Sequence, residues 1–101
     1  MRHLIHVMIP NEPFNTYLRE GAVTQRIHRI IEETKPEQVY FTEHEGHRAC
    51  FAIYQVKDNA MVSQLTEPWH LTFNADCRVE VAMTFDELRS VKLDDLGRRW
   101  K

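Results

Sequence analysis

Glycine is scarce in this chain, three residues in 101, and none falls in a phosphate-cradling GxxxxGK or a dinucleotide-binding GxGxxG frame. Nucleotide use has no support in the sequence. No GxSxG elbow is present, which removes the α/β-hydrolase type of serine nucleophile. Cysteine is rarer still. Cys50 and Cys77 stand in separate strand-like runs and not in a CxxC pair, which predicts buried free thiols and excludes a paired-cysteine zinc motif. Basic residues are in no excess: 13 Lys and Arg face 15 Asp and Glu, for a formal net charge of -2. No basic stripe runs along the chain to track a phosphate backbone, so nucleic acid is not an expected partner. Long hydrophobic runs are also missing. The stretch Leu4 to Ile9 is short and interrupted by His6, unlike the apolar region of a signal peptide or a membrane span, so a cytoplasmic protein without membrane contact is expected.

What is present is enough for one core. With 101 residues, 43% of them hydrophobic, residues 1–101 form a single domain of ordinary small size. The run "RHLIHVMI", Arg2 to Ile9, alternates Ile5, Val7 and Ile9 against Leu4, His6 and Met8 and is stopped by Pro10, the pattern of a first strand. Val23, Ile27, Ile30, Ile31 and Thr34 recur at helical spacing before Pro36, whereas the N-terminal half of the segment, with Phe14, Leu18 and Gly21, is left open as part of the same helix. "QVYFTEH" and "RACFAIYQV" read as two strands joined by a tight turn at Glu45-Gly46. After "KDN", Met61, Leu65, Trp69 and Phe73 lie four apart, predicting a helix that Pro68 either breaks or restarts. "CRVEVAM" alternates as a last strand. Thr84 and Glu87 make a capping-box pattern, and "LDDLGRRW" predicts a final helical turn whose Trp100 packs on something.

Strand, helix, strand, strand, helix, strand is the split βαβ order: an α+β, ferredoxin-like βαββαβ fold with a four-stranded antiparallel sheet of order 4-1-3-2 and both helices on one face. The turn at Glu45-Gly46 pairs His44 with His47, Thr42 with Ala49 and Tyr40 with Phe51. One face of the hairpin then carries Tyr40, Thr42, His44, His47, Ala49, Phe51, Ile53 and Gln55, and the other carries Val39, Phe41, Glu43, Arg48, Cys50, Ala52, Tyr54 and Val56. Both faces are substantially apolar. A sheet with helices on one side only leaves the second face in need of a cover, and the simplest cover for a short chain is a second copy of itself.

The stretches "HLIHVMIPNEPFN", "KPEQVYFTEHEGHR" and "EPWHLTFNAD" give the chain, over about residues 2 to 89, a pattern that resembles the dimeric α+β barrel superfamily, closest to small uncharacterised bacterial proteins of that fold. The resemblance implies a homodimer that brings two open sheet faces together around a small-molecule pocket. It does not name a reaction, since the superfamily spans isomerases, cofactor-free monooxygenases, haem-degrading enzymes and stress-response proteins. The expected activity is proton transfer or isomerisation, or cofactor-free oxidation, on a small organic acid or ring compound. The alternatives are a non-enzymatic metabolite-binding or stress-response protein and, as a minor one, a haem-degrading monooxygenase.

Candidate residues follow from the open face. Leu4, His6 and Met8 of the first strand and Arg78, Glu80 and Ala82 of the last join Tyr40, Thr42, Phe51, Ile53 and Gln55 there, a few polar groups among apolar ones, as in small-molecule cavities. His6 and Glu80 are the expected catalytic acid-base pair, with Tyr40 and Thr42 orienting a ligand oxygen and Arg78 holding a carboxylate. Phe51 and Gln55 complete the lining, and Asn11 in the loop after the first strand is placed to reach a ligand at the mouth. The plainer reading has Arg78 and Glu80 pairing across a dimer interface and His6 bonded to a backbone carbonyl. No metal or cofactor is expected: in "EHEGH" the carboxylates of Glu43 and Glu45 do not share the strand face of His44 and His47, so the stretch reads first as a turn. Trp69 and His70 resemble residues of haem-degrading relatives, but Trp69 with Phe73 at i and i+4 reads as core.

Overall fold

The structure, a computed structural model, describes residues 1–101. Four strands, β1 (Arg2–Ile9), β2 (Gln38–His44), β3 (His47–Gln55) and β4 (Asp76–Val81), form one sheet in the order β2-β3-β1-β4. Read from the other edge, this is the 4-1-3-2 order expected from the sequence. All three pairings are antiparallel. The chain is therefore an α+β, ferredoxin-like βαββαβ fold.

The central strand β1 is where sequence dictates architecture most directly. Ile5, Val7 and Ile9 are at most 3% exposed, and across the register they meet Ala52, Cys50 and Arg48 of β3. Their β-branched side chains are stiff and pack well on a pleated surface. Val23 and Ile30 of α2 (Val23–Thr34) and Leu65, Trp69 and Phe73 of α3 (Ala60–Phe73) cover this face and complete the core with Tyr54 and Val56. Each such side chain contributes about 1.5–3 kcal/mol on leaving water. A hydroxyl pair ties the layers as well, Thr34 Oγ1 and Tyr54 Oη lying 2.8 Å apart.

The β2–β3 turn has the expected register, with His44 opposite His47 and Tyr40 opposite Phe51. Glu45 and Gly46 both take left-handed φ values, 51° and 79°, as a two-residue type I′ connection requires. The segment after β1 holds two helices, α1 (Asn11–Arg19) and α2, separated where Gly21 adopts φ 71°. Neither Asn15 nor Thr16 caps α1. Pro10 holds the cap position, and Asn15 instead accepts a hydrogen bond from Arg48 at 2.7 Å. Pro68 neither breaks nor restarts α3, which runs through it. The stripe Leu65, Trp69, Phe73 holds both halves on the sheet, so the one missing N–H is tolerated.

Beyond β4 the expectation for Trp100 fails. The capping box forms, Thr84 Oγ1 accepting from the Glu87 N–H and Glu87 accepting from the Thr84 N–H. Two short helices follow, α4 (Phe85–Arg89) and α5 (Leu93–Arg99), and neither buries a residue. Trp100 is 79% exposed. Helices α4 and α5 make too few contacts with the sheet and the other helices to cover the indole.

Candidate functional site

The open sheet face is built by the even-numbered residues of β1. Leu4 and Met8 are half-buried there, and between them His6 is only 7% exposed although no helix lies over it. Three neighbours account for that. Phe51, directly opposite on β3, stacks on the imidazole with ring centres 4.2 Å apart and planes 9° from parallel. His44 approaches from the hairpin tip, edge-to-face, at 4.9 Å. Arg78 stands opposite on β4. Ala49 on β3 is 2% exposed, and its lone methyl leaves the room over which His44 reaches toward β1. The cover on His6 is thus one side chain deep.

Burial and the neighbouring side chains both act on the titration of this ring. Burial lowers the His6 pKa from its ordinary value, the neighbouring His44 and Arg78 lower it further, and Glu80 and Glu45 oppose them. Its Nε2 is buried and has no hydrogen-bond partner in the chain. An unpartnered buried ring nitrogen costs free energy unless something outside the chain satisfies it.

The expected residues are not all brought together. His6, Phe51 and Tyr40 lie on one row across β1, β3 and β2, and Thr42 is on the next row with Ala49 and Met8. Tyr40 is 62% exposed and Thr42 is exposed as well. Glu80 is opposite Leu4 and therefore diagonal to His6; no hydrogen bond joins the pair, and Arg78 occupies the position directly opposite. Gln55 belongs to another cluster. It donates to Glu37 at 2.8 Å, and Glu37 and Glu87 in turn pair with Arg2, at the end of the sheet away from the hairpin tip. Asn11 is exposed at the start of α1 and bonds none of the others. Sequence reasoning set His44 on this face but read it first as part of a turn. Its signal was the small Ala49 between two histidines on one face.

The remaining candidates resolve into structure. No group of three or more His, Cys, Asp or Glu side chains is arranged to hold a metal ion. Trp69 is 1% exposed and packs on Phe73 with ring centres 6.1 Å apart. His70 Nδ1 lies 2.6 Å from the Ala75 carbonyl and secures the end of α3. Cys50 is buried and Cys77 half-buried, both free; burial pushes their thiols up to about 12 and about 11.

None of the chain's principal concavities lies on the open face. One, of about 490 Å³, runs between α2 and α3, and another, of about 390 Å³, lies between α4 and α5. A cavity over His6 requires a second wall. No helix is long and apolar enough to cross a membrane.

No protein-family model matches the chain, and no curated protein matches it significantly. Among solved structures it is similar to the de novo designed protein Ferredog-Diesel, at 17% identity and a TM-score of 0.48 over 80% of this chain and 85% of that one. A likeness of that degree assigns neither family nor activity.

Proposed function

We propose that the chain is a homodimeric α+β barrel protein in which a second copy closes the open sheet face over His6, and that the enclosed site binds a small organic acid and moves a proton on it. The observation that supports this most is the buried Nε2 of His6, unpartnered and on a ring whose pKa burial lowers. A neutral imidazole with a free lone pair is a general base, and enclosure by a second wall strengthens its interaction with a ligand proton. Arg78 and Glu80, exposed beside it, divide the remaining work. The guanidinium holds a carboxylate, and the Glu80 carboxylate stabilises the imidazolium that forms when His6 takes the proton. Tyr40 and Thr42 supply hydroxyls on the same face to orient a second ligand oxygen.

The half-buried Leu4, Met8, Phe51 and Ile53 floor favours a second function, retention of a metabolite without turnover, since apolar lining with few polar groups serves binding alone equally well. One experiment separates the two. A panel of small aliphatic and aromatic carboxylates is screened by thermal shift, and the compounds that raise the midpoint are incubated with the protein in D₂O. The expected result is deuterium uptake at carbon beside the carboxyl group, lost in His6→Gln, with binding weakened at least tenfold in Arg78→Gln. Binding without exchange supports the metabolite-retaining role. Binding and exchange unchanged in both variants would exclude the open face as the site.

A further inference from the structure

For the proposed proton transfer a ligand must touch Nε2 of His6, and in the folded chain that atom is closed off as well as unpartnered. Something over it has to move. The ring's three neighbours are held very differently. Phe51 faces His6 in register across the central β1–β3 pair and lies flat on the imidazole, 9° from parallel, so its place is set by the sheet. Arg78 is directly opposite on β4 and is exposed. His44 comes from furthest away.

His44 does not share the row of His6. The register joins His6 through Phe51 to Tyr40, and His44 closes β2 beyond Tyr40 and Thr42. On a flat sheet that separation is roughly 13 Å along the strands and about 10 Å across them. The two rings nevertheless meet edge-to-face at 4.9 Å. The hairpin tip therefore twists over the open face, and His44 leans back across Ala49 toward β1. Ala49 fits this: it stands on the face that carries no helix, yet is only 2% exposed. What holds His44 there is slight. Its side chain is 42% exposed, and the contact that tethers it, to Glu45, is 3.8 Å long and lies within the turn itself. A side chain so placed changes rotamer readily.

We propose that His44 is the access residue of this site: its imidazole covers Nε2 of His6 in the resting chain and swings out over the hairpin tip to admit a ligand. This rests on the proton-transfer reading of the open face and adds to it the side chain that decides when the base can be reached. His44 acts through His6 and is a positioning residue.

The test needs no ligand. Diethyl pyrocarbonate acylates the neutral imidazole nitrogen, and a covered nitrogen reacts only through the fraction of molecules in which its cover has opened. Labelling rates at each histidine are read by peptide mass spectrometry at neutral pH and about 1 μM protein, where mass action least favours a second copy. Wild type is compared with His44→Ala, His44→Phe and Arg78→Gln. Two histidines calibrate the rates. His28, with a side chain 70% exposed, gives the open rate, and His3, 8% exposed on the helix side of the same strand, reports any loosening of β1. The expected result is slow labelling of His6 in wild type, at least a tenfold rise toward the His28 rate in His44→Ala with His3 unchanged, and slow labelling restored in His44→Phe, whose ring covers without titrating. Equal His6 labelling in wild type and His44→Ala would overturn the proposal. So would a rise that His3 shares, a His44→Phe chain labelled as fast as His44→Ala, or a tenfold rise produced by Arg78→Gln instead. Turnover does not enter this measurement, so its failure leaves the proton-transfer reading to the exchange experiment, and absence of exchange there leaves His44 as the cover of His6.

Discussion

His6 joins the core's chemistry to the surface's. Its pKa is lowered first by burial, so over the window just below its ordinary value of 6.5 the unfolded chain takes up a proton that the folded chain does not. Stability therefore rises with pH through that window and is lost as pH falls below about 6.5. Urea melts from pH 8 to pH 5 are expected to show a steeper acid loss for wild type than for His6→Gln; parallel curves would place the titration in another group. The cysteines behave in the opposite sense. With burial pushing Cys50 up to about 12 and Cys77 up to about 11, almost no thiolate exists at pH 8, and the thiolate is the nucleophile. Both thiols are expected to react with Ellman's reagent far more slowly in the native protein than in urea. Rapid native reaction at Cys50 would contradict its position under the helices.

At the scale of elements, the β2–β3 hairpin shows how local chemistry sets long-range register. Gly46 adopts its left-handed φ without a Cβ to oppose it, but Glu45 holds φ 51° as an ordinary L-residue, a conformation that costs free energy for most side chains. Asparagine tolerates that region better and is preferred before glycine in type I′ turns. Glu45→Asn is thus expected to raise stability by about 0.5 kcal/mol, the lower end for such local improvements, measured as a shift of the urea midpoint. The lost contact to His44, 3.8 Å between largely exposed groups, contributes little to offset it. No change, or a loss, would show that strain at Glu45 is relieved by its surroundings. Helix α3 carries a related lesson. Its boundaries ignore Pro68 because the buried stripe, not the local hydrogen-bond ladder, holds the helix in place.

As a whole molecule the chain is longer than a compact domain of its size. Its radius of gyration is 16.9 Å, against about 13 Å for 100 residues packed evenly. The extents of 59 × 29 × 19 Å combine a thin body, one sheet with helices on a single side, with an arm reaching past it. Such a chain leaves unusual apolar surface to be covered, and mass action makes its stability depend on concentration if a second copy provides the cover. The thermal midpoint is accordingly expected to rise measurably over a hundredfold increase in protein concentration. A midpoint flat over that range would argue for a folded monomer and against the barrel.

By itself the sequence determined the strand and helix order, the hairpin register and the two faces of the sheet, because each rests on short-range signals. Alternation places Ile5, Val7 and Ile9 on one side of β1 and His6 on the other. A glycine in a two-residue turn leaves one pairing open, and the 4-1-3-2 order follows from the connections. Tertiary structure alone decided where side chains met. Sequence reasoning paired His6 with Glu80, two residues on adjacent strands; the fold stacks Phe51 on His6, brings His44 across Ala49 and leaves Glu80 on the diagonal. It likewise placed Gln55 in the lining, whereas the ion pairs of Arg2 and Glu37 draw it to the sheet end. Trp100 was expected to pack on a neighbour, and the fold leaves it 79% exposed. Alternation states which face a residue occupies. Rotamer, twist and the volume of the intervening neighbour state which side chain it touches, and those exist only once the strands are assembled.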